Sequence, residues 1–301
     1  MGLKKIGFIG VGLMGHGAAK NILKGGYALT VLAHRNRKPV DDLIGRGALE
    51  AASAAELAAS ADILFTCVSD SGVMDKVVLG DGGVREGAKP GLVLVDMTTS
   101  EPASTKHLAA SLAESGVTLV DGPVTLTPKE AEEGRLNIMI GAEASVLDQI
   151  KPVLETFCAK IFHTGPLGSA HTLKLINNFL TLGNAALAVE ACTAARKAGV
   201  DPEMMVELIS VSGGDSASFQ RMARLLINDG DPSKSAFAIR NALKDVSYFW
   251  RLAEDNGAYA PLSDAVRRWY DLAVALDHGD DLMPELFSIH ERLSGTSNPL
   301  R

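Results

Sequence analysis

Along the first half of the chain, short apolar runs alternate with amphipathic stretches. KKIGFIG, ALTVLA, DILFTCV, LVLVDM, VTLVDGP, LNIMIGA and KIFHTG are each rich enough in branched and aromatic side chains for a buried strand. Helical patterns lie between them, with start signals at Ser53, at Ser71 and at the step Ser100-Glu101-Pro102. Strands separated by helices predict βαβ units and a largely parallel, doubly wound α/β sheet covered on both faces. After Gly165-Pro166-Leu167-Gly168 the strand signals stop. From Ser169 to about Ala198 there is no proline and one glycine, Gly183, so a single helix of about 45 Å is predicted. Its NFLTLGNAALAVEACTAA stretch is apolar or small on nearly every side, which marks a buried helix or one that meets a second subunit. Gly199 ends it, Asp201-Pro202 opens the next helix, and helical patterns follow as far as PELFSIHERL. The expected organisation is an α/β domain over residues 1–164 and an all-α domain over residues 165–301, joined by the long helix.

The first candidate chemistry sits at the front. Gly10-Val11-Gly12-Leu13-Met14-Gly15 matches G-x-G-x-x-G after a strand and at the opening of a helix. There the first glycine permits the tight turn, the second lets a pyrophosphate approach the backbone, and the third lets helix pack on strand. A nicotinamide dinucleotide is the expected ligand, and Leu13 and Met14 line the same turn. About 20 residues further on, an acidic residue would bind the adenosine ribose of NAD. None stands there: ALTVLA runs into His34-Arg35-Asn36-Arg37. A guanidinium suits a 2′-phosphate, so NADP is expected ahead of NAD, with Arg35 as the first contact and Arg37 as the second.

Composition narrows the partners. Hydrophobic residues at 47% and charged residues at 22% of 301 fit a folded globular chain of two domains. A formal charge of −7 and the lack of any Lys/Arg block argue against nucleic acid and anionic membrane surfaces. Lys4-Lys5 before IGFIGVGLMG imitates a secretory signal, but four glycines interrupt the apolar run and no cleavage-like spacer follows. Cys67, Cys158 and Cys192 are too far apart to form a chelating pair or a redox dithiol, so a reducing, cytoplasmic setting is expected.

Near the start of the long helix, Lys174 and Asn178 are four residues apart and share a face. A lysine desolvated on an otherwise apolar helix can serve as an acid/base, whereas most helical lysines are simply solvated. His171, one turn earlier, is read as structural. In order along nearly the whole chain, GFIGVGLMG, DMTTSEP, DGPVT, GRLNIMIGA, KLINN and AFAIRNALKDV resemble the β-hydroxyacid dehydrogenase family, which includes 3-hydroxyisobutyrate dehydrogenase. The resemblance implies a Rossmann domain followed by an all-helical domain, with the active site in the cleft between them. It makes Lys174 the general acid/base and Asn178 its partner. Thr99 matches the family's threonine near the nicotinamide, Lys244 and Asp245 match its K-D pair beside the cofactor, and Phe237 lies upstream. Val68 and Ser69 fall in a loop that touches the cofactor, with Ser69 where a proline is common.

One segment departs from the pattern. Where the family commonly reads D-x-P-V-S-G-G, this chain reads Asp121-Gly122-Pro123-Val124-Thr125-Leu126-Thr127. Thr125 keeps a hydroxyl, but two glycines that would offer open amides to a carboxylate are replaced by Leu126 and Thr127, with Lys129 nearby. The expected substrate is a small anion: a β-hydroxy acid or its semialdehyde, or a sulfonated aldehyde as in the related sulfolactaldehyde reductases. An imine reductase or a non-catalytic nicotinamide-binding module would share the fold, and the retained Lys174 and Asn178 weigh against both. A 6-phosphogluconate dehydrogenase would need a longer helical domain. A homodimer or homotetramer is expected from the apolar long helix.

Overall fold

The structure, a computed structural model, describes residues 4–227, 230–231, 235 and 237–295. The chain divides into two compact units, one ending at Lys174 and one beginning at Leu175.

The first unit is built on a sheet whose strands are β1 (Ile6–Ile9), β2 (Leu29–Leu32), β3 (Leu49–Ala51), β4 (Ile63–Thr66), β5 (Val93–Asp96), β6 (Thr118–Asp121), β7 (Val124–Thr125), β8 (Leu136–Gly141) and β9 (Cys158–Gly165). Their order is β3-β2-β1-β4-β5-β6-β8-β7, with β9 on β8. From β3 to β6 the pairs are all parallel; β8 runs antiparallel to β6 and β7 and parallel to β9. This is the doubly wound arrangement that the βαβ pattern predicts. Two strands were not legible in that pattern. β3 is three residues long and exposes Leu49, and β7 is two residues long and exists through its pairing with β8.

The helices of this unit are α1 (Gly15–Lys24), α2 (Lys38–Gly45), α3 (Ala54–Ser60), α4 (Ser71–Leu79), α5 (Val84–Gly87), α6 (Pro102–Ala113), α7 (Pro128–Glu132) and α8 (Ala144–Leu154). One face of the sheet packs Phe8, Val31, Phe65 and Ile138 against Ala18 and Ile22 of α1 and Ile150 and Leu154 of α8. The other face packs Leu64 and Leu94 against Leu57 of α3, Met74 of α4 and Leu108 of α6. Apolar residues on both sides of the strands explain their nearly continuous hydrophobic runs. Ser53 caps α3 as expected, accepting from Glu56 N–H at 3.1 Å. At α4 the expectation needs correcting: Asp70, not Ser71, is the cap and accepts from Val73 N–H at 2.9 Å. The Ser71 hydroxyl instead accepts from Glu101 N–H at 2.9 Å, before α6.

One continuous helix, α9 (Ser169–Lys197), spans 29 residues and ends at Gly199, whose φ of +76° suits a residue without Cβ. The second unit surrounds its later turns with α10 (Pro202–Ser210), α11 (Ala217–Leu226), α12 (Ile239–Asp255), α13 (Pro261–Ala275) and α14 (Leu286–Leu293). Leu182, Val189 and Cys192 of α9 pack with Phe219, Val246, Tyr270 and Phe287. Fully buried Tyr270 donates its hydroxyl to Leu182 O at 2.8 Å, and burial pushes the phenol above its usual range. The burial expected of α9 holds for one side only. Leu180 and Leu187 are more than half exposed.

Candidate active site

At the end of β1 the chain turns sharply into α1. Gly10 has φ +91°, and a Cβ there would lie 2.2 Å from the carbonyl oxygen of Cys67 on the neighbouring strand's loop. A Cβ at Gly15 would lie 2.2 Å from Gly10 O, so the helix seats directly on the turn. Gly12 differs, because a Cβ there meets nothing within 4 Å. The space beside it is open, Leu13 is exposed, and half-buried Met14, just before α1, supplies no side-chain cap. An uncapped helix N-terminus behind an open glycine fits a pyrophosphate, whose oxygens would accept from the first amides of the helix.

Beyond β2 the two arginines separate. Arg37 is held by Glu50 of β3 at 2.8 and 2.9 Å and by Asp41 at 3.1 and 3.3 Å, and these bonds raise its already high pKa. Arg37 is therefore engaged by two carboxylates, and the secondary contact expected of it is not left open. Arg35 is exposed and makes no hydrogen bond or ion pair among the described residues. Glu50 lies in a strand that sequence reasoning missed, which is why the two arginines looked equivalent.

The loop after β4 leans on the loop after β5. Cys67 N–H donates to Ile9 O at 2.9 Å, and Val68 N–H donates to the Thr98 hydroxyl at 3.1 Å. Exposed Ser69 donates to Asp70 at 2.7 Å, and Thr99 is half-buried beside Thr98. Beneath these loops lie two buried carboxylates in register on β5 and β6, Asp96 and Asp121. Asp96 accepts from Thr66 Oγ1 (3.1 Å), Thr98 N–H (2.9 Å) and Ser100 Oγ (3.0 Å). Asp121 accepts from Gly168 N–H (2.8 Å) and His171 N–H (2.9 Å) and so fixes the opening of α9. The His171 ring is fully buried, with Nδ1 2.7 Å from Thr105 Oγ1 and Nε2 3.9 Å from Asp96. Sequence reasoning did not find this network. Asp121 was visible in DGPVT, but nothing local tied it to a helix that begins far along the chain.

One turn after His171, half-buried Lys174 donates from Nζ to Val124 O at 2.8 Å. The first unit thus brings Lys174 to the Thr125–Thr127 segment. Leu126 there has φ +86°, a left-handed conformation costly for a branched side chain, and is half exposed. Thr127 caps α7: its hydroxyl and N–H both bond Glu130, which holds that carboxyl below its usual range. With Thr127 used in the cap, the hydroxyl left on this segment is that of half-buried Thr125.

The second unit holds the rest of the expected set. Asn178 Nδ2 donates to buried Asp245 at 2.7 Å, and Lys244 Nζ lies 3.2 Å from the other carboxylate oxygen. Lys244 also lies over the Tyr248 ring at 5.4 Å. Phe237 is about one-third exposed, and its carbonyl accepts from Met283 N–H at 3.0 Å. Among the described residues no group of His, Cys, Asp and Glu could hold a metal ion, and no helix is long and apolar enough to cross a membrane.

Residues 5–165 match the family described as the NAD binding domain of 6-phosphogluconate dehydrogenase. Residues 168–286 match the NAD-binding domain of NADP-dependent 3-hydroxyisobutyrate dehydrogenase. The chain is 33% identical to 2-(hydroxymethyl)glutarate dehydrogenase of Eubacterium barkeri over 97% of both chains. The solved 3-hydroxyisobutyrate dehydrogenase from Salmonella typhimurium aligns with a TM-score of 0.81 at 26% identity, covering 95% of this chain and 99% of that one. Psf3, solved in complex with NADP+ and 2-OPP, aligns with the same TM-score, identity and coverage. A dinucleotide turn of this geometry, a lysine at the head of the long helix and matches over both halves place the chain in the 3-hydroxyisobutyrate dehydrogenase-like family of NAD(P)-dependent hydroxyacid dehydrogenases.

Proposed function

We propose that the enzyme moves a hydride between NADP(H) and a short anionic β-hydroxy acid or its semialdehyde, with Lys174 carrying the hydroxyl proton. The observation that carries this reading is the bond from Lys174 Nζ to Val124 O, beside the Thr125 hydroxyl. A lysine ammonium has three donors, and a carbonyl that takes one fixes where the other two point. When bound, the cofactor accepts hydride in oxidation and supplies it in reduction. In oxidation the amine at Nζ takes the proton of the substrate hydroxyl as the carbinol C–H bond breaks; in reduction its ammonium returns that proton to the carbonyl oxygen. Thr125 donates to the acid group, and Asn178, one turn along α9, orients the substrate oxygen. Arg35 is the residue offered to the 2′-phosphate, since Arg37 is already paired; Psf3, a structural relative, was solved with NADP+.

The altered loop favours a particular member of the substrate class. 3-Hydroxyisobutyrate and 2-(hydroxymethyl)glutarate share a HOCH2–CH–COO⁻ unit and differ in the arm on the central carbon, a methyl in one and a carboxyethyl in the other. Leu126 gives the loop an apolar side chain where the family pattern has open glycine, and exposed Lys129, three residues on, adds a cation. The reading therefore favours the doubly anionic acid with the longer, carboxylate-bearing arm over plain 3-hydroxyisobutyrate. Assaying both acids, succinic semialdehyde and a sulfonated aldehyde with NADP(H) and NAD(H), by absorbance of the reduced nicotinamide, tests it. Higher kcat/KM on 2-(hydroxymethyl)glutarate with NADP is expected; turnover of none of the four would overturn the function.

The same reading extends to assembly and setting. Leu173, Ile176, Leu180 and Leu187 form an exposed apolar stripe along α9, which suits a second copy of the chain. Sedimentation should report a dimer or tetramer. Three cysteines without a disulfide suit a reducing compartment such as the cytoplasm.

A further inference from the structure

Glu132 closes α7, the short helix that follows the Leu126 segment, and it faces α1. Its Oε1 lies 2.6 Å from Nδ1 of His16, the residue after Gly15, while Nε2 of the same ring lies 3.0 Å from Asp42 of α2. Lys20 also pairs with Glu132, and Arg46 binds Asp42 at 2.6 and 3.1 Å. The backbones are equally close. A Cβ at Gly17 would come within 2.4 Å of the Ala131 carbonyl carbon, and buried Asn21 donates to Ala131 O at 3.1 Å and to Glu132 O at 3.3 Å. The far anchor of the strained segment is thus clipped to the helix that opens the dinucleotide site.

The charges in this clip have a definite arrangement. Bonds from Arg46 and His16 hold the Asp42 carboxyl at about 2. Burial pushes Glu132 up, but bonds from Lys20 and His16 outweigh it and the carboxyl stays below its usual range. Both partners of the ring are carboxylates, so the imidazole bridges α7 and α2 through its two nitrogens. The charged groups facing it are Lys20 on its own helix, Glu132 of α7, and Asp42 and Arg46 of α2; β1 and β2, beneath α1, contribute none.

A positive φ on a branched residue persists only where its surroundings hold it. On one side of Leu126 the pairing of β7 with β8 does so, at Val124↔Ile138 and Thr125↔Asn137. On the other side stand the Thr127–Glu130 cap and the Glu132 clip. We propose that His16 is a positioning residue for the substrate's acid group: by bridging Glu132 and Asp42, it holds α7 against α1 and α2 and so sets how Thr125 and Leu126 are presented. This rests on the reading that the Thr125–Thr127 segment receives the acid group.

The test uses the full-length enzyme with 2-(hydroxymethyl)glutarate and 3-hydroxyisobutyrate as probes. His16→Asn should raise KM for the acid by roughly tenfold while kcat and the Kd for NADP change less than about twofold. Glu132→Gln, which keeps the shape of the side chain, should do the same. Amide exchange over residues 125–132 should quicken in both variants. Unchanged KM and exchange in both variants, or a loss confined to NADP affinity, would overturn the proposal. Thr125→Ala separates the two failures. If it leaves KM unchanged, the loop reading fails and the proposal with it; if it raises KM while the His16 and Glu132 variants do not, the clip alone is wrong.

Discussion

The turn from β1 into α1 and the segment from β7 into α7 place the same backbone demand on different residues. Gly10 and Leu126 both have φ near +90°, at +91° and +86°. At Gly10 a Cβ would strike the Cys67 carbonyl, so no other residue fits the folded chain. Leu126 carries a side chain through a conformation costing roughly 1–2 kcal/mol, and half of that side chain is exposed, so burial returns little of the cost. The contrast separates two kinds of constraint. A site that uses only backbone amides keeps its glycine, whereas a site that uses a side chain can bear strain if the flanking contacts fix the chain on both sides.

Five substitutions can break or sharpen that contrast. The largest effect is expected for Gly10→Val, which adds a backbone clash to the strained φ. It should destabilise the fold by about 3 kcal/mol or more and abolish NADP binding, as read by thermal melting and cofactor titration. A well-folded variant that binds NADP would show that the turn has slack. Next comes Lys174→Ala, which removes the group bonded to Val124. It should lower kcat at least ~10²-fold while Tm and NADP affinity hold, because Ala is a good helix former. Near-normal turnover would remove Lys174 from the chemistry.

A smaller effect is expected at the ribose end. Arg35→Ala should weaken NADP by about tenfold and leave NAD unchanged, whereas Arg37→Ala should cost stability rather than selectivity. Tighter binding of NAD than NADP by the wild type would sink that assignment. The smallest effect belongs to Leu126→Gly, which relieves the positive φ and adds chain entropy to the unfolded state. Denaturant titration should show a gain of at most about 1 kcal/mol, with kcat/KM for 3-hydroxyisobutyrate rising. A clear loss of stability would mean that Leu126 packs more than its exposure suggests.

What the sequence revealed of this molecule depends on how local each cause is. β1, β4 and β5 were legible because both of their faces are buried and every position is apolar or nearly so. β7 was not, since two residues carry no period and the strand is made by an edge of β8. Ser71 was read as a cap because serine caps helices as readily as aspartate; the choice of Asp70 shows only once Glu101 N–H claims the Ser71 hydroxyl. The glycine turn, and the single helix that carries Lys174 and Asn178 one turn apart, were readable because each pattern lies within a few residues. The Asp96–His171 contact, the Glu50–Arg37 pair and the His16–Glu132 clip join distant segments, and no spacing announces them.

The bonds from Gly168 and His171 to Asp121 bear on what protects the head of the long helix. Their partner lies 47 and 50 residues earlier, at the end of a central strand. The head of this long helix is therefore anchored to the sheet as well as by its own local bonds, such as those from Thr172 to Gly168 O. Hydrogen exchange at the His171 amide should follow opening of the sheet, not fraying of a helix end. A chain altered only at Asp121 should lose protection at the head of α9, although no residue of that helix has changed.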